Sequence, residues 1–196
     1  MDFIDYINTH DCPQTPETYN FNSIIIESLD KFVKVTFFED ELIAIKNNIS
    51  KISQGKFSKR SNEVFQKKAY NNYLGKLAAS MLLEGFKLNT SASSKSSFEL
   101  PDLTAKYNLG ITSAEWGNFP LVDKDPKRQE IITLIHGNEV YLCGIANCQV
   151  LKENSTEDLV LSPRIRIKGN KVGFHGFSKL NYFNKEKADK KLKELM

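Results

Sequence analysis

The hydrophobic period changes once along this chain, and that change limits the fold more than any other feature. From Phe65 the residues Ala69, Tyr73, Leu77 and Met81 recur at i, i+4 steps, with Leu74, Ala78 and Leu82 beside them, until Gly85. That spacing gathers them on one side of an α-helix. Ser61 can cap the first amides, so a helix is expected from about Ser61 to Leu83. Asn89 to Ser97 is serine-rich and without period, which predicts a loop. Beyond it the segments Phe98 to Thr104, Tyr107 to Glu115, Glu130 to Ile135 and Glu139 to Ala146 each read as strands, with Gly137 and Asn138 turning the last pair. Helices first and a strand meander after predict an α/β (α+β) domain, a mixed β-sheet with flanking helices.

The flanks are less regular. Pro13 and Pro16 predict a short helix around Phe3 to Asn8 and then an irregular connector. From Phe21 to Ile52 the apolar residues mostly keep helical spacing, as one long helix or two, although Phe32 to Phe38 also fits a strand. Arg164 to Lys168 alternates like a short strand before the turn formers Gly169 and Asn170, and Glu186 to Met196 closes as a basic amphipathic helix. Residues 1–60 are thus expected as an N-terminal helical segment packed on a core of residues 61–196, in one globular unit.

With 196 residues the chain can bury enough surface to fold without metal or disulfide. Its 3 cysteines make no disulfide framework, and Cys143 and Cys148 lack zinc-type spacing. No run approaches a membrane span and the first residues are acidic, so a cytoplasmic protein is expected. Charge is uneven. Leu161 to Met196 holds 10 Lys/Arg against 3 Asp/Glu, and Lys46 to Lys68 holds 7 basic residues against Glu63. Such asymmetry suits a polyanion, or it marks only solvated lysines. Isolated glycines exclude the common phosphate loops, and His10, His136 and His175 form no zinc pair.

The most informative stretch is LPDLTAKYNLGITSAEWGNFPLV, from Leu100 to Val122. Before it stands the helix with YLGKLAASMLLEGF; after it come RQEIITLI, VYLCGI and finally KVGFHGFSKL. This order and wording resemble the PD-(D/E)xK, or restriction-endonuclease-like, nuclease superfamily. The likeness is to small phage and bacterial members in which a GIK-S/T strand is followed by GNFP and a later Gln-containing strand. It covers roughly residues 70–180.

The resemblance implies carboxylates on neighbouring strands that hold Mg²⁺ or Mn²⁺, with a lysine two residues past the second acid to assist the attacking water. Positions i and i+2 of a strand share a face, which aims acid and ammonium at one phosphate. Asp102 matches the first acid. Where (D/E)xK should follow, the chain has Gly110, Ile111 and Thr112, and the acid that often follows the helix glycine is Lys76. The implied site is therefore Asp102 with Glu115 or Glu99 as metal ligands, in a cleft lined by Lys76 and Thr112. Lys106 or Lys124 could lend an ammonium. Each has a plainer role: a strand-end Asp102, a surface Glu115, a solvated Lys76, and Trp116 with Phe119 at a core edge.

Three functions follow from these residues. The first is a Mg²⁺-dependent endonuclease cleaving DNA phosphodiesters; the second is an inactive nuclease fold that grips nucleic acid or a host or phage protein; the third is an assembly subunit, homodimeric or otherwise. Nucleic-acid contacts are expected from Lys56, Lys59, Arg60, Lys67 and Lys68 together with Arg164, Arg166, Lys168 and Lys171. About five phosphates neutralised would give a salt slope near −4.5 on duplex DNA.

Overall fold

A computed structural model describes residues 16–53, 59–83 and 109–195. The chain forms a mixed sheet with helices on its faces. In order the elements are α1 (Pro16–Ile26), β1 (Val33–Thr36), α2 (Glu39–Ser53), α3 (Lys59–Leu82), β2 (Leu109–Glu115), β3 (Leu121–Asp123) and β4 (Gln129–His136). Then follow β5 (Glu139–Ala146), α4 (Cys148–Glu153), β6 (Ser155–Thr156), α5 (Pro163–Lys168), β7 (Lys171–Phe174) and α6 (Lys185–Leu195). The expected helix at Phe3 to Asn8 and strand at Phe98 to Thr104 lie outside the described residues.

The main sheet has the order β1-β5-β4-β2. β1 and β4 run antiparallel to β5, whereas β2 runs parallel to β4. The expected meander is corrected there: strand direction depends on the connection between strands, which local alternation does not encode. β4 lies between β5 and β2 and reads QEIITLIH, the near-continuous apolar run of a strand covered on both faces. Ile131 and Ile135 pack under α2, α3 and α6 with Val33, Val35, Leu74 and Ala188. Ile132 and Leu134 point the other way, into Phe21, Ile25, Val122, Leu151 and Phe174, where α1, α4 and a small sheet of order β3-β7-β6 cover the second face.

Residues 33–36 bring the N-terminal segment into the main sheet. Val33, Val35 and Phe37 are buried while Lys34 and Thr36 are exposed, so the alternation of Phe32 to Phe38 resolves as a strand. Pairing with β5 decides it, Val33 opposite Leu142 and Val35 opposite Val140. α2 begins directly after, with the Glu41 carboxylate accepting the Phe38 amide at 2.9 Å in the manner of a capping box.

Two further expectations are corrected. α1 starts at Pro16, inside the segment expected as irregular; proline is tolerated in a first helical turn because its missing N–H would have no partner there. Arg164 to Lys168, expected as a strand, is the helix α5. Pro163 sits at its start, and Gly169 ends it in the left-handed region at φ 64°. Among the described residues no helix is long and apolar enough to cross a membrane. Cys143 and Cys148 are free, and burial pushes the Cys143 thiol well above its usual range.

α3 lies close against the sheet at Gly75. A Cβ added there would stand 2.2 Å from Ser113 Oγ and 2.7 Å from Thr133 Oγ1, the two hydroxyls being joined by a 2.9 Å hydrogen bond. In an exposed helix interior Gly→Ala gains about 1 kcal/mol. Here the sign reverses. Gly75→Ala is expected to cost about 1–3 kcal/mol by overpacking, read as a lower denaturation midpoint. Adding Ser113→Ala recovers part of the loss, and a stabilised single variant would contradict the packing described.

Candidate functional site

Strand parity sorts the expected site residues. On β2, Leu109, Ile111 and Ser113 face α3, and Glu115 follows on that side, where Lys67 of α3 pairs with it at 2.8 Å. Gly110, Thr112 and Ala114 face the opposite layer. Thr112 and Glu115 are three residues apart, so they stand on opposite faces, and α3, which carries Lys76, lies on the Glu115 side. Of the expected cleft, with Asp102 and either Glu115 or Glu99 at its mouth and Lys76 and Thr112 lining it, Thr112 and Glu115 thus stand on opposite faces of β2. Lys76 itself is buried, 6% exposed, rather than solvated. Lys124, a candidate ammonium, pairs with Glu157 at 2.5 Å. Asp102, Glu99 and Lys106 lie outside the described residues.

What Thr112 does meet is Glu130. This carboxylate begins the apolar run of β4 and is directly opposite Gly110 in the parallel register. Its side chain lies back across β2 into the room that glycine leaves. A Cβ at 110 would stand 2.3 Å from each of its oxygens. The Thr112 hydroxyl donates to Oε2 at 3.4 Å, a long contact, and Arg128 Nε donates to Oε1 at 3.1 Å. Burying a carboxylate is costly unless hydrogen bonds and an opposite charge compensate it, and these two donors supply both.

Glu130 and Arg128 help to line a cleft of about 250 Å³ with Asp123, Pro126, Lys127 and Leu151. The cleft lies between the end of β3, the 124–128 link and α4. Asp125 and Lys127 pair on the link, with the Asp125 carboxyl held below its usual range by the Lys127 hydrogen bond and charge. Asp123 pairs with Lys171 at 2.6 Å, and the Lys124 amide donates to Asn170 at 3.1 Å. These contacts attach the α5–β7 turn to the mouth of the cleft.

That turn belongs to a basic stretch. From Leu159 to Lys185 there are 6 Lys/Arg and no Asp or Glu. Its members are not equivalent. Arg166 donates to the Val160 and Asp158 carbonyls and so braces α5, Lys171 holds Asp123, and Lys168 and Lys179 are exposed. Arg164 also lies on α5. Of the other expected contacts, Lys67 holds Glu115, Lys68 is exposed, Lys59 and Arg60 open α3, and Lys56 lies outside the described residues.

Searches against protein-family models, curated proteins and solved structures find no match for this chain. The site therefore stands on its own chemistry. Among the described residues no group of three His, Cys, Asp or Glu is placed to hold a metal. Mg²⁺ takes hard oxygens with positions open to water and phosphate. Each Glu130 oxygen accepts a protein donor, and the expected ligands Asp102 and Glu99 lie outside the described residues.

Glu130 and Arg128 are the residues that the sequence reading missed. Their signal was present: two charges two residues apart at the head of a strand share a face, as the (D/E)xK logic itself requires.

Proposed function

We propose that this chain is a DNA-binding protein of restriction-endonuclease-like architecture, which grips the sugar-phosphate backbone at the Glu130 cleft and the basic turn beside it. The observation that carries this reading is the junction of the two: an acid-free stretch with 6 Lys/Arg, attached through Lys171 and Asn170 to a cleft that also presents Arg128 and Lys127. Clustered cations held on one rigid surface release counterions from DNA and supply most of a sequence-independent affinity.

A second reading, the Mg²⁺-dependent endonuclease, is favoured by one contact. The Glu130 carboxylate fills the space in which a side chain at position 110, the acid position of the resembled motif, would lie. Against it stand the two donors on that carboxylate.

Two measurements divide these readings. Because Lys67 and Lys171 already hold carboxylates, about three of the five expected phosphate contacts remain, and log K on duplex DNA is expected to fall with log salt at a slope near −2.7. Absence of binding at low salt would overturn the nucleic-acid reading in favour of a protein partner. Supercoiled plasmid with Mg²⁺ or Mn²⁺ is expected to be shifted in a gel but left uncut. Nicking that disappears in Asp102→Ala would establish the endonuclease instead.

A further inference from the structure

We propose that this chain associates with a second copy of itself head to tail, the apolar and acidic start of α2 in one molecule docking on the apolar and basic α5 of the next. The inference goes beyond the DNA-binding reading and does not need it.

Among the described residues Ile26, Phe38, Ile43, Leu161 and Ile167 are the large apolar side chains left strongly exposed. Single exposed aliphatics are ordinary. Four of these, however, fall in two short segments, each marked by one sign of charge, and the two signs are opposite. Phe38, 60% exposed, leads into α2, and Ile43, 48% exposed, lies one turn on from Glu39 and Asp40, which are exposed as well. Ile167, 87% exposed, stands on α5 between Arg166 and Lys168, with Leu161 just ahead of the helix at 58%. An apolar centre inside a polar rim is the anatomy of a protein interface. Rims of opposite charge make the two surfaces complementary.

The surroundings leave those charges in place. Beside α2, Lys34 holds Glu139 at 2.8 Å and Lys46 lies over the Tyr70 ring. The end of the helix offsets only about half a charge, against two carboxylates. From Leu161 to Lys171 there is no Asp or Glu, and Arg166 donates to two backbone carbonyls, which do not cancel its charge.

The two patches lie at opposite ends of the main sheet. The Phe37 amide donates to the Asn138 carbonyl at 3.0 Å, which fixes the start of α2 at the β4–β5 hairpin. Asp123, which lines the cleft with Arg128 just before β4, pairs with Lys171 and so fixes the α5–β7 turn at the other end. The 8 residues of β4 put about 25 Å between them, so no molecule joins its own two patches. A second copy can. Because the contacting surfaces differ, the interface is heterologous, and each dimer keeps one unused patch of either kind for a further copy or for ring closure.

Analytical ultracentrifugation of the full chain, without nucleic acid, tests this. The wild-type average mass is expected to rise with concentration up to ~1 mM, and to fall back toward the monomer when added salt screens the rims. Ile43→Lys and Ile167→Glu each set a like charge against the opposite patch, and each is expected to raise the dissociation constant about tenfold or more. Their equimolar mixture decides the geometry. Each variant supplies the patch that the other lacks, so the mixture should form a dimer of one of each, at wild-type affinity, that grows no further. Both side chains are exposed, so thermal midpoints should not change. If either variant melts early, Asp40→Lys and Lys168→Glu replace the pair: each weakens association, and the double variant recovers it.

Wild type that stays monomeric at ~1 mM would overturn the docking; co-sedimentation with phosphatidylserine vesicles through Ile167 would then assign α5 to a lipid surface. Association lost in only one of the two variants, or a mixture that stays monomeric, would overturn the pairing of these patches. DNA binding, measured apart, stands or falls without altering any of these outcomes.

Discussion

Phe21→Ala is expected to lower the stability of this protein by about 3–5 kcal/mol, the loss that follows when a buried aromatic leaves a cavity its neighbours cannot fill. Phe21 is fully buried and is the point at which α1 joins the second face of the sheet. Its ring meets Phe119 at 5.2 Å, Trp116 at 5.8 Å and Phe177 at 6.3 Å between centroids, all close to perpendicular. Edge-to-face pairs of this kind contribute about 0.5–1.5 kcal/mol beyond the area they bury. The three partners come from the segment after β2, from the approach to β3 and from the turn after β7, so one ring ties together segments distant in sequence. Urea unfolding should show the midpoint falling steeply for Phe21→Ala and modestly for Phe21→Leu, which refills much of the volume. A loss under about 1 kcal/mol would mean that α1 packs loosely and can close the gap.

Much of the first face was legible because its signals are local and repeated. The i, i+4 row from Phe65 to Met81 places the helix, expected from Ser61 to Leu83 and found as Lys59–Leu82. Gly137 and Asn138 between two apolar runs place the β4–β5 hairpin. The second face was less legible. Its strands β3, β7 and β6 are three, four and two residues long, too short for a period to declare itself, and they form a sheet only because other segments bury them. Phe32 to Phe38 fits helix and strand equally by spacing, and pairing with β5, about a hundred residues away, settles it. At α5 the boundary signals outweigh the interior: Arg-Ile-Arg-Ile alternates, but Pro163 and Gly169 bracket it as helix.

The site shows a related division between what spacing encodes and what only pairing encodes. That Thr112 and Glu115 face opposite ways follows from an odd separation on one strand and needed no structure. That Glu130 lies over Gly110 depends on β2 and β4 being parallel neighbours in one register, which no local pattern carries. The resembled motif directs attention to acids close to Asp102 in sequence. The buried acid of the described residues instead comes from the adjacent strand, with its own arginine two residues before it.

Gly144→Ala combines two penalties at one position and should rival the loss of Phe21. β4 and β5 shift register between Ile132 and Thr133, where Gly144 faces Ile132 but Leu142 faces Thr133, leaving Cys143 as the extra residue of a bulge. Gly144 carries the turn of the backbone at φ 143°, a conformation that side chains rarely adopt and that costs about 1–3 kcal/mol when forced. Space is also missing. A Cβ there would stand 2.9 Å from the Asn181 carbonyl oxygen and 2.9 Å from Leu180 Cβ. Those atoms cannot swing aside, because Ile145 and Asn181 exchange two backbone hydrogen bonds at 2.9 Å, so relief would pull the 180–181 segment off the sheet. Overpacking adds about 1–3 kcal/mol, and together the two penalties give a loss of about 2–6 kcal/mol. Hydrogen exchange should show the Ile145 and Asn181 amides losing protection before those of β4. Equal protection in variant and wild type, at an unchanged melting midpoint, would mean that the bulge tolerates a side chain and that its glycine serves no steric purpose.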